Sequence, residues 1–171
     1  MIHSPLVSED FAKSIWSKFD QCTYEVNSFS GPLMEFSELP KELQCFIIES
    51  VSDDGFELVG DDYNKNRKYI DHIPSGCVEF QMHTISVTPH TDDIHPKIHF
   101  FVLPIAVVNE ERNSKTIYCD LPRFQYYDSV TSKKSYGALY ERALIFNPRK
   151  EHSVYWCGSD YIVMMLSVVR K

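Results

Sequence analysis

Two kinds of hydrophobic pattern divide the chain. Between Ser8 and Asp20, the apolar residues Phe11, Ile15, Trp16 and Phe19 recur at helical spacing behind the acids Glu9 and Asp10. That arrangement predicts an amphipathic helix whose first-turn carboxylates oppose the positive end of its dipole. From Ser37 to Val51 the theme repeats: Ser37 can cap, Pro40 can sit in the first turn, and Leu43, Phe46, Ile47 and Ile48 supply an apolar face. The stretch Asp53–Lys68 is polar and turn-rich around one short apolar segment, Phe56–Val59.

From Cys77 the period changes to two. Val78, Phe80, Met82, Thr84, Ser86 and Thr88 alternate with Glu79, Gln81, His83, Ile85 and Val87, an imperfect strand pattern. Ile98–Val108 is nearly continuous in apolar residues and is interrupted by Pro104, which predicts a strand buried on both faces and then a bend. Thr116–Cys119, Phe124–Tyr127, Ala143–Phe146, Ser153–Tyr155 and Tyr161–Val169 are further predicted strands. Turn clusters at Asn109–Ser114, Asp128–Tyr136, Asn147-Pro148 and Gly158-Ser159-Asp160 separate them. Two leading helices followed by short strands predict a mainly β (α+β) fold, a sandwich or jelly roll with the N-terminal helices packed outside. No internal repeat is present. A chain of 171 residues suits a single domain, with a helical part over about 1–52.

Composition agrees with a globular β-rich domain, since 11 Phe, 10 Tyr and 2 Trp favour strands. A formal charge of −7 gives no general attraction to phosphate backbones, and Lys133-Lys134 and Arg149-Lys150 are short basic pairs, so a nucleic-acid partner is disfavoured. The five cysteines are odd in number, scattered and without CxxC spacing, which argues against a disulfide framework and a structural zinc site. A reduced, cytoplasmic setting is expected. No basic-then-apolar signal segment opens the chain, and no apolar run is long enough for a membrane span, so a soluble protein is expected.

The candidate chemistry lies in His90-Thr91-Asp92 and in His152, which follows Asp92 by 152 − 92 = 60 residues. In an extended strand the side chains at i and i+2 share a face, so His90 and Asp92 can reach one ion together. Pro89 holds the preceding chain extended. His152 comes after Ile145-Phe146-Asn147-Pro148, a strand and then a turn, which puts it near a strand end. Two imidazoles and a carboxylate on one face of a metal, with the other positions open, form the ligand set of non-haem Fe(II) oxygenases. The competing interpretation is structural: His90 ends a strand, Asp92-Asp93 is a solvated turn, and His152 packs on Trp156.

Thr88-Pro-His-Thr-Asp92, then Lys97-Ile-His-Phe-Phe-Val-Leu-Pro-Ile105, then Ala143-Leu-Ile-Phe-Asn-Pro-Arg-Lys-Glu-His-Ser-Val-Tyr-Trp156 resembles the Fe(II)- and 2-oxoglutarate-dependent oxygenase superfamily. The resemblance covers a double-stranded β-helix core over about 77–169. It implies that His90, Asp92 and His152 ligate iron and that Fe(II), 2-oxoglutarate and O2 are the cofactors and cosubstrates. It also implies hydroxylation of a small-molecule or peptide substrate, coupled to decarboxylation of 2-oxoglutarate to succinate. One feature departs from the family. An Arg or Lys commonly follows the distal His by about eight to ten residues and holds the far carboxylate of 2-oxoglutarate; here that window reads Asp160-Tyr161-Ile162. Lys97 and His99, two apart on a strand, are similar to the basic-x-His pair of some aspartyl/asparaginyl β-hydroxylase-type members, and Tyr118 can add a hydrogen bond. Two alternatives stay open: a cupin-like metal protein that does not use 2-oxoglutarate, and a non-catalytic jelly-roll binding module. His95 is assigned no role, though at three residues from Asp92 it is close enough in sequence to compete in principle as a metal ligand. His83 can face a cavity or solvent, and Arg142 and Arg149 can be solvated, paired or at a substrate entrance.

Overall fold

The computed structural model describes residues 2–20, 31–60, 73–83, 87–107, 123–127, 134–138, 143–155 and 161–171. Helix α1 (Glu9–Asp20) starts where the pattern places it, and the Ser8 hydroxyl accepts the Phe11 N–H at 3.2 Å as its cap. Ala12, Ile15 and Phe19 are buried beneath it.

The second helix differs from expectation. A single 3-10 turn, Phe36–Glu38, precedes helix α2 (Lys41–Asp53), with Pro40 at the N-cap rather than Ser37. Proline disfavours helical backbone in the residue before it, and Leu39 is accordingly extended (φ −63°, ψ 152°). The Gln44 amide spans the break, donating to the carbonyls of Ser37 (3.1 Å) and Leu39 (2.7 Å).

Among the described residues there are eleven strands: β1 (Ile2–His3), β2 (Leu33–Glu35), β3 (Phe56–Leu58), β4 (Cys77–His83), β5 (Val87–His90), β6 (Ile98–Val107), β7 (Arg123–Tyr127), β8 (Lys134–Ala138), β9 (Leu144–Phe146), β10 (His152–Tyr155) and β11 (Tyr161–Arg170). The larger sheet has the order β1-β6-β11-β4-β2, with β3 added to β11 and β9 to β6; the smaller has the order β5-β10-β7-β8. The pairings are antiparallel, and the β6–β11 ladder, from Ile98↔Val169 to Val107↔Tyr161, forms the centre. Every residue of β6 is buried because both faces of this sheet are covered. Phe101, Leu103 and Ile105 join Ile15, Phe19, Leu43 and Ile47 under the helices. Ile98, Phe100 and Val102 join Ile94, Phe146 and Val154 in a second core between the sheets. Both faces thus gain the area-proportional stabilisation of apolar burial, and the result is a jelly roll with helices packed outside.

Several elements correct the pattern. The single alternation expected from Cys77 to Thr88 is two strands in different sheets, β4 and β5. Pro104 lies inside β6 without ending it. Along that edge β9 pairs with Phe100–Val102 and β1 with Ala106–Val107, so the missing N–H falls where the partner changes. The register with β11 slips at the same point. Strand β8 occupies part of the expected Asp128–Tyr136 turn, and the expected Thr116–Cys119 strand lies outside the described residues. Among the described residues, Cys45 and Cys77 are free thiols, and no helix is long and apolar enough to cross a membrane.

Candidate metal centre

Strands β5 and β10 are neighbours in the smaller sheet, and their register sets His90 opposite His152. Directly opposed residues of an antiparallel pair point to one face, so the pairing brings together imidazoles far apart in sequence. Asp92 lies just beyond β5. Its N–H donates to the Pro148 carbonyl at 2.8 Å, which ties it to the turn before His152.

The three side chains converge. Asp92 Oδ1 is 3.6 Å from His90 Nε2, and Asp92 Oδ2 is 3.4 Å from His152 Nε2. One donor atom from each residue lies within 4.8 Å of the other two. Adjacent ligands about 2.1 Å from one ion are about 3 Å apart, so small side-chain rotations bring these atoms onto a common metal. His90 Nδ1 is 2.8 Å from the Thr88 carbonyl and His152 Nδ1 is 2.9 Å from the Lys150 carbonyl. A carbonyl only accepts, so each Nδ1 carries a proton, and the neutral form of each ring presents its Nε2 lone pair on the Asp92 side. Two such lone pairs and a carboxylate aimed at one point form an arrangement that a divalent cation stabilises.

The surroundings are asymmetric. His152 is buried, with its ring centroid 4.9 Å from Phe146, and Phe146 packs edge-on against Phe100 at 5.9 Å. The side chains of His90 and Asp92 are 39% and 28% exposed. The cluster therefore has an apolar inner wall and an outer side open to an incoming ligand.

Of the proposed cosubstrate residues, Lys97 and His99 are among the described ones. The Lys97 side chain is exposed. His99 pairs with Val168 and packs edge-on against Phe56, with centroids 5.1 Å apart; both partners belong to the core under the helices. The strand alternation that puts Lys97 and His99 on one face thus turns that face away from the core between the sheets. Burial pushes the His99 pKa below its usual range. His95 is not part of the three-residue cluster, and its Nδ1 accepts the Lys97 N–H at 3.3 Å. Arg149 is half-buried and paired: its guanidinium donates to the main-chain carbonyls of His95 and Ile98. Tyr118, Asp160, Arg142 and Trp156 lie outside the described residues.

The wall between the sheets carries polar residues that the sequence pattern left undecided. Met165, Val163 and Tyr161 face this interior, and β4 sets Glu79, Gln81 and His83 directly opposite them. Glu79 and His83 are buried. His83 stacks on Tyr161 with centroids 4.9 Å apart and planes 12° apart. Burial pushes the His83 pKa down to about 4, so its imidazole is neutral near pH 7. Tyr161 thus stands on the inner wall at the start of β11, in the window where the resemblance expects a cation. Strands β4 and β6 contain no Lys or Arg, and the one in β11, Arg170, lies over the Phe56 ring at 4.9 Å. The alternation in Cys77–His83 was a signal for this face, but which face turned inward was not readable before the partner strand was known.

No family model matches the chain, and no curated protein matches it. Among solved structures, a prolyl-4-hydroxylase from Pseudomonas putida aligns over 98% of this chain and 90% of its own, with a TM-score of 0.50 and 9% sequence identity. At that identity the likeness is one of fold: the chain is a mainly antiparallel β jelly roll with outer helices, an architecture it shares with that hydroxylase.

Proposed function

We propose that the chain is an Fe(II)-dependent oxygenase that uses 2-oxoglutarate and O2 to hydroxylate a small-molecule or peptide substrate. The observation carrying this reading is the convergence of His90, Asp92 and His152 at the edge of the core between the sheets. Bound Fe(II) and 2-oxoglutarate would supply oxidative decarboxylation to succinate and CO2, coupled to hydroxylation of a C–H bond. The chain's own residues bind and orient. His90 and His152 offer neutral Nε2 ligands, held in that tautomer by the Thr88 and Lys150 carbonyls. Asp92 offsets part of the metal's charge. Phe146 and Phe100 keep water from the inner side, which strengthens every electrostatic interaction at the site.

The inner wall fits 2-oxoglutarate less well than the three ligands fit iron. Neutral His83 and the Tyr161 phenol can meet a carboxylate through hydrogen bonds, whereas a guanidinium would add charge and a bidentate fork. This feature favours a second reading, a cupin-like metal protein that does not use 2-oxoglutarate. Anaerobic addition of Fe(II) and 2-oxoglutarate separates the two. The oxygenase reading predicts a visible charge-transfer band that disappears in His90→Ala and in His152→Ala. Metal uptake without that band selects the cupin-like reading, and absence of stoichiometric metal selects a non-catalytic binding module.

A further inference from the structure

We infer that Arg149 is a positioning residue for this metal centre: its guanidinium locks the segment after Asp92 onto the turn before His152 and so fixes the carboxylate ligand relative to the imidazoles. The inference rests on the metal-centre reading above.

The three ligands are not held in the same way. His90 and His152 are opposed residues in paired strands, so the β5–β10 ladder fixes their spacing. Asp92 lies past the end of β5, in a segment without regular structure that runs to the start of β6 at Ile98. Ladder hydrogen bonds cannot set its position, so other contacts must.

Several of those contacts come from the turn from Asn147 to Lys150. The Asp92 N–H donates to the Pro148 carbonyl at 2.8 Å. One guanidinium nitrogen of Arg149, Nη1, donates to the His95 carbonyl at 2.8 Å and the Ile98 carbonyl at 2.6 Å. Those carbonyls stand at the two ends of the turn that closes the Asp92 segment, where the Ile98 N–H also donates to the His95 carbonyl at 2.9 Å. The Arg149 backbone is held in turn: its N–H donates to Asn147 Oδ1 at 3.1 Å, and the Lys150 N–H donates to the Asn147 carbonyl at 3.1 Å. The next carbonyl, of Lys150, accepts from His152 Nδ1. One short turn therefore holds the Asp92 backbone, braces the segment behind it and aims the His152 ring.

Arginine suits this task. Both hydrogens of Nη1 lie in a rigid plane and diverge towards two acceptors, a geometry that a lysine ammonium does not present. The side chain is half-buried, and it donates to these main-chain carbonyls. Partial burial of a charged group is costly unless it is hydrogen-bonded, so holding these carbonyls is a specific use of the charge. Loss of the guanidinium loosens the Asp92 segment, which keeps its bond to the Pro148 carbonyl, while leaving the two imidazoles in their ladder.

The test is a Co(II) titration of the full chain, read by calorimetry and by the visible spectrum. Arg149→Met keeps most of the stem without the donors, and Arg149→Lys keeps the charge without the fork. Wild type is expected to bind one Co(II). Arg149→Met should bind it on the order of ten-fold more weakly, as loss of an orienting partner around metal ligands typically does. Its spectrum should move towards that of Asp92→Asn, and Arg149→Lys should recover part of the affinity. A role confined to stability would lower the melting temperature of the metal-free protein and leave the spectrum of the bound metal unchanged. Wild-type affinity and spectrum in Arg149→Met overturn the inference; should that variant fail to fold, the same result in Arg149→Lys overturns it. Absence of Co(II) binding by wild type overturns the metal centre itself and this inference with it.

Discussion

Three histidines share one local device: the Nδ1 atoms of His90, His99 and His152 each lie against the carbonyl two residues earlier in the chain. What separates them is their surroundings, a carboxylate for the first and third and the Phe56 ring for the second. The His90–Asp92 pair was legible from its sequence spacing, although Asp92 lies past the end of β5 and is held by its bond to the Pro148 carbonyl rather than by strand alternation. The inward or outward sense of His99 was not, because it sits in a strand buried on both faces and neither side of it is marked by polarity. His83 adds a titration. Burial lowers its folded pKa to about 4 from an ordinary value of 6.5. Between these values the unfolded chain binds the proton and the folded chain does not, so stability is fully present above about pH 6.5 and is lost as pH falls towards 4. The His83 contribution over that window is about 3 kcal/mol, and His99 shifts in the same direction. Urea midpoints measured between pH 7 and 4.5 should therefore fall less steeply in His83→Gln than in wild type. Equal slopes would remove His83 as the cause.

At the scale of elements, strong local signals translated directly and context-dependent ones did not. The first helix, the long buried strand β6 and the terminal strand β11 follow from periodicity and continuous apolar runs. Strand β8, Lys-Ser-Tyr-Gly-Ala, carries little apolar signal and takes its conformation from the ladder with β7. The short strands β1, β2 and β3 likewise exist through their partners in the larger sheet. Gly31 shows how closely these segments pack. A Cβ there would lie 2.0 Å from the Phe80 carbonyl oxygen and 2.7 Å from the Phe19 ring. Phe80 is fixed in β4 and its N–H donates to the Pro32 carbonyl at 3.0 Å, so the backbone has little freedom to yield. Gly31→Ala is expected to cost about 2 kcal/mol, or roughly 4–8 °C in melting temperature for a chain of this size. An unchanged melting temperature would contradict this close approach.

For the molecule as a whole, the jelly roll places chemistry where sequence distance would forbid it. His90 and His152 become register partners because the chain crosses between two sheets and returns, and the turn before His152 grips the segment after Asp92. The general architecture was legible from two helices followed by short strands. The division of the β-segments between two sheets was not, since pairing is a long-range property. The nature of the inner wall stayed hidden for the same reason: Glu79, Gln81 and His83 gain their inward orientation from register with β11. The most direct measurement is an anaerobic Fe(II) titration of the metal-free chain, compared with His90→Ala, Asp92→Ala and His152→Ala. One Fe(II) bound per wild-type chain, with binding lost or greatly weakened in each of the three variants, is the predicted result. Absence of Fe(II) binding by wild type, or binding that survives all three substitutions, would contradict it.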